Sequence, residues 1–140
     1  MAGESGLREC GLGYRAKYVQ ATAKKICEEN VDLEGLKTVP YLEARKKLLE
    51  FSGVGLKVAD CVLLFSLEKS EAFPVDVWVK RVIINHYANQ FPEELVKKMR
   101  SHDSLTNGEY LKIGDFARAY FGHYSGYAQE YLFHYERTQR

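Results

Sequence analysis

Apolar residues recur along much of the chain at steps of three and four, which is the spacing of one face of an α-helix. One such stripe consists of Ala16, Val19, Ala23, Ile26 and Cys27. Similar spacing, interrupted by prolines and glycines, predicts further short helices over residues 41–51, 58–65, 77–89, 92–100, 113–121 and 125–140. The alternation typical of strands is nearly absent. The pattern therefore predicts an all-α domain, a compact bundle of short helices that spans residues 1–140.

Composition excludes several classes of protein. The chain has 140 residues, of which 46% are hydrophobic and 28% charged, as expected of one globular domain. An aromatic content of 13% is too high for a mainly disordered chain. No apolar run approaches the roughly 20 residues of a membrane span, and the polar start lacks a secretory signal. The cysteines, Cys10, Cys27 and Cys61, are odd in number and widely spaced, so we expect reduced thiols in an intracellular compartment.

Charge is unevenly distributed along the chain, although the formal net charge is only +1. Five basic residues and one acidic residue lie between Arg8 and Lys25, and acidic residues follow between Glu28 and Glu34. A chain that is neutral overall can still present a basic face to nucleic acid. From charge alone, a solvated helix face is the preferred interpretation and nucleic-acid binding is the alternative.

The most informative segment is a glycine-rich turn between two predicted helices. Gly53 and Gly55 let the backbone approach a phosphate closely, and free N–H groups at the start of the next helix point towards an anion. A tight helix–helix turn is the alternative, but Val54 between the glycines and the lysine at position 57 favour DNA binding. A monovalent or divalent cation that bridges to the phosphate could bind the outward-facing carbonyls of the turn. The candidate carbonyls are those of Leu49, Phe51 and Val54.

Four segments carry a resemblance to a known family. They are residues 11–19 (GLGYRAKYV), 53–61 (GVGLKVADC), 73–77 (FPVDV) and 126–129 (GYAQ). In this order they resemble the helix-hairpin-helix DNA glycosylases, and among these the 8-oxoguanine DNA glycosylase/AP lyases, over residues 7–138. The resemblance implies a base-excision repair enzyme that removes 8-oxoguanine from duplex DNA through a lysine Schiff base and β-elimination. It also implies that no cofactor is required, that duplex DNA with 8-oxoguanine or an abasic site is the partner, and that the protein acts with DNA inside the cell.

Lys57 and Asp76 are the candidate catalytic pair. Lys57 lies at the start of a predicted helix, where the dipole disfavours a second positive charge and so favours the neutral amine that a nucleophile requires. The resemblance implies that Lys57 attacks C1′ of the damaged nucleotide and that Asp76 stabilises the oxocarbenium-like sugar. From the residues alone, Lys57 is a phosphate-binding or solvated lysine and Asp76, after Pro74, is a helix N-cap. The two roles of Asp76 are compatible, because a cap fixes the direction of the carboxylate.

The resemblance also assigns a base pocket and a grip on DNA. An extruded base needs a stacking wall and hydrogen-bonding partners. Gln129 is expected to read the Watson–Crick edge of the guanine, Phe133 to stack on one face, and Cys61 to lie at the other. Tyr14 is expected to wedge beside the vacated position, and Arg15 to face the orphaned cytosine. Without the resemblance, Phe133 and Cys61 are core residues, Gln129 is a surface amide and Arg15 is a solvated arginine.

The chain departs from the family at several points. The family's N-terminal portion is missing, so we expect uncovered apolar surface that could drive self-association. Trp78 stands where some members have a histidine that contacts a phosphate. The four histidines lack metal spacing, and three cysteines do not supply the four-cysteine iron–sulfur loop of the endonuclease III branch. Two alternatives stay open: a catalytically incomplete DNA-binding fragment that needs a separate N-terminal portion, and a glycosylase for another damaged base.

Overall fold

Helices joined by short turns form the part of the chain that the computed structural model describes, which is residues 3–139. The α-helices are α1 (Glu4–Leu7), α2 (Ala16–Glu29), α3 (Tyr41–Leu48), α4 (Leu56–Ser66), α5 (Val77–His86), α6 (Glu93–Arg100), α7 (Asn107–Phe121) and α8 (Ser125–Thr138). A π-helical segment covers Arg8–Leu12, and 3-10 turns cover Gly13–Arg15, Glu34–Lys37, Ala88–Gln90 and Gly122–Tyr124. No strand occurs within residues 3–139, and the all-α prediction is confirmed.

Two compact units follow each other along the chain, the first ending at Gly55 and the second beginning at Leu56. The expectation of one domain over residues 1–140 stays a prediction. None of the helices in the described range is long and apolar enough to cross a membrane. The last helix, α8, ends at Thr138, and Arg140, towards which it was predicted to run, lies outside the described residues.

In the first unit, the helix before the glycine turn is shorter than its sequence predicts. A helix over residues 41–51 was expected, but α3 ends at Leu48. The N–H groups of Glu50 and Phe51 bond to the carbonyls three residues earlier, at distances of 3.2 Å each, so the chain tightens before the turn. The apolar residues buried in this unit are Ala16, Leu36, Tyr41, Ala44, Leu48 and Phe51.

In the second unit, α5 packs against α6 and α8. It ends at His86, before the predicted position 89, because Tyr87 leaves the helical conformation with φ of −127°. The Tyr87 ring then packs against Phe116, Tyr120 and Phe121. The continuous core of this unit consists of Phe73, Val75, Val79, Ile83, Ile84, Val96, Met99, Tyr110, Ile113 and Ala117.

Tyrosines also form an exposed row on α8. Tyr127, Tyr131 and Tyr135 are four residues apart, so they share one face of the helix, and all three are exposed. Such rings have apolar faces and a polar tip that water can solvate. Self-association through uncovered apolar surface stays a prediction.

Candidate active site

Lys57 and Cys61 occupy successive turns on one face of α4. The helix begins at Leu56, so Lys57 lies in its first turn, as predicted, and is exposed. Burial raises the pKa of the Cys61 thiol above its ordinary value of 9.0, and the positive charge and hydrogen bond of Lys57 only partly oppose that rise. The carboxylates of Asp60 and Glu130 raise the pKa further. The thiol therefore keeps its proton at neutral pH and gives Lys57 an uncharged neighbour.

Asp76 is the N-cap of α5, as predicted. Its backbone is extended, with φ of −109°, and its Oδ1 accepts hydrogen bonds from the N–H groups of Trp78 and Val79, both at 2.9 Å. Two residues earlier Pro74 is buried, which restricts the approach of the chain to the helix. The carboxylate is therefore held in one direction at the positive end of the α5 dipole, where a negative charge is favoured.

The first turn of α8 is tied to the connector that precedes α5. The hydroxyl of Ser125 donates to the carbonyl of Glu71 at 2.9 Å, and the N–H of Gly126 donates to the carbonyl of Ser70 at 2.8 Å. A β-carbon at Gly126 would lie 2.7 Å from the carbonyl oxygen of Ala72. Only glycine allows this approach, and the contact fixes where the next turn of α8 lies.

That next turn of α8 carries Gln129, and Phe133 follows on the same face. Gln129 is only 5% exposed. Among residues 3–139, no donor makes a hydrogen bond to its buried side-chain oxygen, Oε1. An unpaired buried acceptor costs about 1–3 kcal/mol, so this amide is ready to accept a hydrogen bond from a ligand.

These side chains surround one open cavity of about 140 Å³ in the second unit. Its polar lining combines an amine, a thiol, a primary amide and two carboxylates, and its apolar lining provides two aromatic rings and a proline. The lining residues are Lys57, Cys61, Phe65, Pro74, Asp76, Gln129, Glu130 and Phe133. A flat, hydrogen-bonding ligand with a reactive carbon nearby would find a stacking surface, an acceptor and a nucleophile in the same place.

The glycine turn belongs to the first unit. Gly53 has a positive φ of 79°, and a β-carbon there would overlap the Tyr18 ring of α2, so the position requires glycine. The Val54 N–H donates to the Phe51 carbonyl at 3.1 Å, which leaves that oxygen one further lone pair. Gly55 ends the turn, is exposed, and leads directly into α4.

Tyr14 and Arg15 also belong to the first unit, in the 3-10 turn before α2. Tyr14 is 60% exposed, and the Arg15 guanidinium lies 4.5 Å from the centre of its ring. A cation over an aromatic face at this distance is a favourable arrangement. The pair is thus an exposed aromatic and cationic surface, and its expected roles at the vacated base stay predictions.

Within residues 3–139, no group of three or more His, Cys, Asp or Glu side chains is arranged to hold a metal ion. The three cysteines are free thiols, with Cys10 and Cys27 exposed.

Comparison with known proteins decides the family. Residues 1–102 match the family described as "HhH-GPD superfamily base excision DNA repair protein". The chain belongs to this superfamily. It is 42% identical to a probable N-glycosylase/DNA lyase of Methanothermobacter thermautotrophicus, over 94% of the chain and 36% of that protein. It is 34% identical to the N-glycosylase/DNA lyase of Saccharomyces cerevisiae, over 94% of the chain and 40% of that protein.

Solved structures of HhH-GPD relatives agree with this assignment. An 8-oxoguanine glycosylase/lyase of Clostridium acetobutylicum, in complex with duplex DNA containing cytosine opposite 8-oxoguanine, matches with a TM-score of 0.80 and 38% identity. That match covers 99% of the chain and 42% of the other. The chain thus spans about two-fifths of the length of these relatives. The resemblance to helix-hairpin-helix glycosylases is confirmed.

In this HhH-GPD chain, the five residues predicted for catalysis and base binding line the same cavity, and their roles stay predictions. Three further lining residues were not anticipated as such. The sequence carries a signal for two of them. Phe65 lies one turn beyond Cys61 on α4, and Pro74 lies two positions before Asp76. Glu130 had none, because nothing in the pattern indicates that α8 turns this side chain towards the cavity.

Proposed function

We propose that the chain carries the base-excision chemistry of an 8-oxoguanine DNA glycosylase/AP lyase. The observation that carries the proposal is the cavity that Lys57, Asp76 and Gln129 line together, in which Gln129 is a residue whose buried amide oxygen is unpaired. The similarity to glycosylase/lyases over nearly the whole chain supports it. The proposed partner is duplex DNA that contains 8-oxoguanine or an abasic site.

Base recognition falls to the α8 side of the cavity. The Watson–Crick edge of 8-oxoguanine carries N1–H and N2–H donors, which suit the unpaired Oε1 of Gln129. The Phe133 ring supplies a stacking surface for the extruded base, and stacking on an aromatic side chain contributes about 1–3 kcal/mol per base. Cys61 faces the base as a neutral thiol, because burial keeps its pKa raised. Guanine has the same Watson–Crick edge. These groups therefore recognise the guanine base and do not distinguish 8-oxoguanine from guanine.

Excision follows at the sugar. The neutral amine of Lys57 attacks C1′ while the bond from C1′ to the base breaks, and the base leaves with the electron pair and is protonated. The Asp76 carboxylate, held by its two hydrogen bonds from α5, stabilises the positive charge that develops on the sugar. The bond from C1′ to the ring oxygen then breaks, that oxygen takes up a proton released from the nitrogen, and the protonated Schiff base forms on Lys57. Elimination of the 3′ phosphate from this intermediate nicks the strand.

Residues of the first unit bind the DNA backbone and the site of base extrusion in this proposal. The exposed turn at Gly53 and Gly55 offers backbone N–H groups to a phosphate, which positions the duplex without reading its sequence. Tyr14 and Arg15 are assigned to the position from which the base is extruded, with Arg15 facing the cytosine. A cation bridging the turn to the phosphate would bind the carbonyls of Leu49, Phe51 and Val54. These contacts imply that the protein works with DNA inside the cell.

Borohydride trapping tests this function. The chain is mixed with a duplex carrying 8-oxoguanine opposite cytosine, and separately with an abasic duplex, and the Schiff base is reduced to a stable adduct. We expect an adduct on both duplexes. Lys57→Gln should abolish both adducts and retain DNA binding, because it removes the amine and keeps the shape. Lys112→Gln, an exposed lysine of α7, is the matched control and should trap like the original chain.

Three results contradict parts of the proposal. An adduct formed by Lys57→Gln at the original rate contradicts the role of Lys57. An adduct on the abasic duplex alone contradicts base recognition by this chain and leaves a lyase. Salt-dependent binding to both duplexes without any adduct supports the alternative, a DNA-binding fragment that lacks catalysis.

A further inference from the structure

Glu130 is a second carboxylate at the cavity that the proposed steps do not use. It follows Gln129 on α8, lines the same cavity, and is exposed where Gln129 is buried, so it lies at the mouth. Burial is the main cause of the raised pKa of the Cys61 thiol, and the negative charge of Glu130 adds to the rise. Lys57 lines this cavity as well, so the Glu130 carboxylate and the Lys57 amine border the same space.

The Glu130 carboxylate is also uncommitted. In the part of the chain that the structure describes, no cation pairs with it and no donor bonds to it, in contrast to the ion pairs made by other glutamates of the protein. Asp76 differs, because its Oδ1 already accepts two backbone N–H groups and its direction is fixed by α5. A long, unpaired side chain at the mouth can follow the sugar as its ring opens.

Strand nicking requires a base that the other lining residues do not supply. The nitrogen of Lys57, once in the protonated Schiff base, has no lone pair to accept a proton. Cys61 is a protonated thiol, Gln129 is an amide without useful basicity, and three other residues lining the cavity are apolar. The two carboxylates remain, and only Glu130 is free to reach a second position on the sugar.

We propose that Glu130 is the general base of the elimination step, a role that rests on the proposed function. Its carboxylate removes a proton from C2′ of the Schiff base. The electron pair of that C–H bond forms the double bond between C1′ and C2′ and neutralises the iminium nitrogen. The enamine then expels the 3′ phosphate as the bond from C3′ to oxygen breaks, and Glu130 returns its proton to water.

The test separates Schiff-base formation from elimination on one abasic duplex. Trapping with borohydride measures the first, and nicking without borohydride measures the second. For Glu130→Gln we expect trapping at the original rate and nicking slowed by about 100-fold, the lower range of a general base contribution. Deuterium at C2′ should slow nicking more in this variant than in the original chain, because breaking the C–H bond becomes limiting. Glu136→Gln, on the same helix and outside the cavity, is the control.

A second variant separates lost basicity from altered shape. Glu130→Ala should nick as slowly as Glu130→Gln, and added formate should restore part of its nicking by acting as an external base. Unchanged nicking in Glu130→Gln overturns the role of Glu130, as does a parallel fall of trapping and nicking. An original chain that forms no adduct on the abasic duplex contradicts the proposed function itself. If the original chain traps and nicks, and Glu130→Gln does both equally well, only the role of Glu130 is contradicted.

Discussion

Two of the places where the second unit buries polar side chains differ in where their hydrogen bonds go. Around Lys80 and Glu109, every buried polar group finds a partner within the chain. Lys80 is 3% exposed, and its ammonium donates to the carbonyls of His102 and Ser104 at 2.6 and 2.7 Å. Glu109 is 2% exposed and accepts from the Thr106 N–H at 2.9 Å. We call this group the Lys80–Glu109 cluster.

The charges of the Lys80–Glu109 cluster support each other. Burial acts to raise the pKa of Glu109, but the hydrogen bonds from Thr106 and the electrostatic effects of His102 and Lys80 outweigh it, so the pKa lies below its usual value. The carboxylate therefore stays ionised, and it closes a capping box with Thr106 at the start of α7. The cluster fastens the loop before α7 to α5.

At the cavity the opposite holds. The buried Oε1 of Gln129 lacks a partner among residues 3–139, and the charged groups beside it, Lys57 and Glu130, are exposed. A folded chain tolerates the cost of an unpaired buried acceptor when a ligand supplies the missing donor. Burial of charge therefore does not distinguish the candidate site in this protein, whereas an unpaired polar atom on a residue that lines a cavity does.

The largest effect is expected in the Lys80–Glu109 cluster. Lys80→Met keeps most of the side-chain volume but deprives two carbonyls and a buried carboxylate of their cation. Breaking such a buried arrangement costs about 3–5 kcal/mol of the free energy of unfolding. Urea denaturation measures this loss, with the exposed Lys98→Met of α6 as control. If Lys80→Met loses no more free energy of unfolding than the control, the comparison is contradicted. The folded fraction of Lys80→Met should still form the Schiff base.

At the cavity we expect the reverse, a large loss of activity with little loss of stability. Asp76→Asn keeps a side-chain oxygen for the cap of α5, and Asn caps helices about as well as Asp, so the free energy of unfolding should change by only a few tenths of a kcal/mol. The excision of 8-oxoguanine should fall by about 100- to 1,000-fold, as when one group that stabilises developing charge is removed.

Single-turnover excision and thermal unfolding, measured side by side, check this prediction. Asp115→Asn removes a carboxylate from an exposed pair with Arg118 and serves as control for the change of charge. If Asp76→Asn excises at the original rate, Asp76 is a cap and nothing more. If it unfolds at a much lower temperature, the cap depends on the charge rather than on the hydrogen bonds.

The two regions also differ in which of their features could be predicted from the sequence. The cap at Asp76 could be predicted, because an aspartate after a proline and before an apolar run is a local pattern. The pocket roles of Gln129 and Phe133 came from a family resemblance, since periodicity alone makes them a surface amide and a core ring. Burial of Lys80 could not be predicted, because it depends on carbonyls more than 20 positions away in sequence.

The same limit explains why neither the position of Glu130 nor the end of α5 could be predicted. The rotation of α8 is fixed by contacts of its first turn with residues 70–72, which are distant in sequence. α5 ends early because the Tyr87 ring packs against α7, and no local breaker announces that end. Local signals thus describe most helix starts better than which side chains meet, although α7 begins at Asn107 and not at the predicted residue 113.

The smallest effects are expected at Gln129. They test the comparison most sharply, because stability should rise while excision falls. Gln129→Met replaces the unpaired amide with an apolar side chain of similar length. Removing an unsatisfied buried acceptor should raise the free energy of unfolding by about 1 kcal/mol. Excision of 8-oxoguanine should nevertheless fall by about tenfold, the equivalent of one hydrogen bond to the base. Nicking of an abasic duplex, which holds no base to recognise, should be unchanged.

Urea denaturation and single-turnover kinetics on both duplexes measure the three quantities. Lys80→Met supplies the contrast, since there a methionine removes partners that are in use and stability falls. If Gln129→Met is instead destabilised, Oε1 is paired in solution, and the amide belongs with the satisfied cluster rather than with the cavity. If excision and abasic nicking fall together, the side chain shapes the whole cavity and does not read the base.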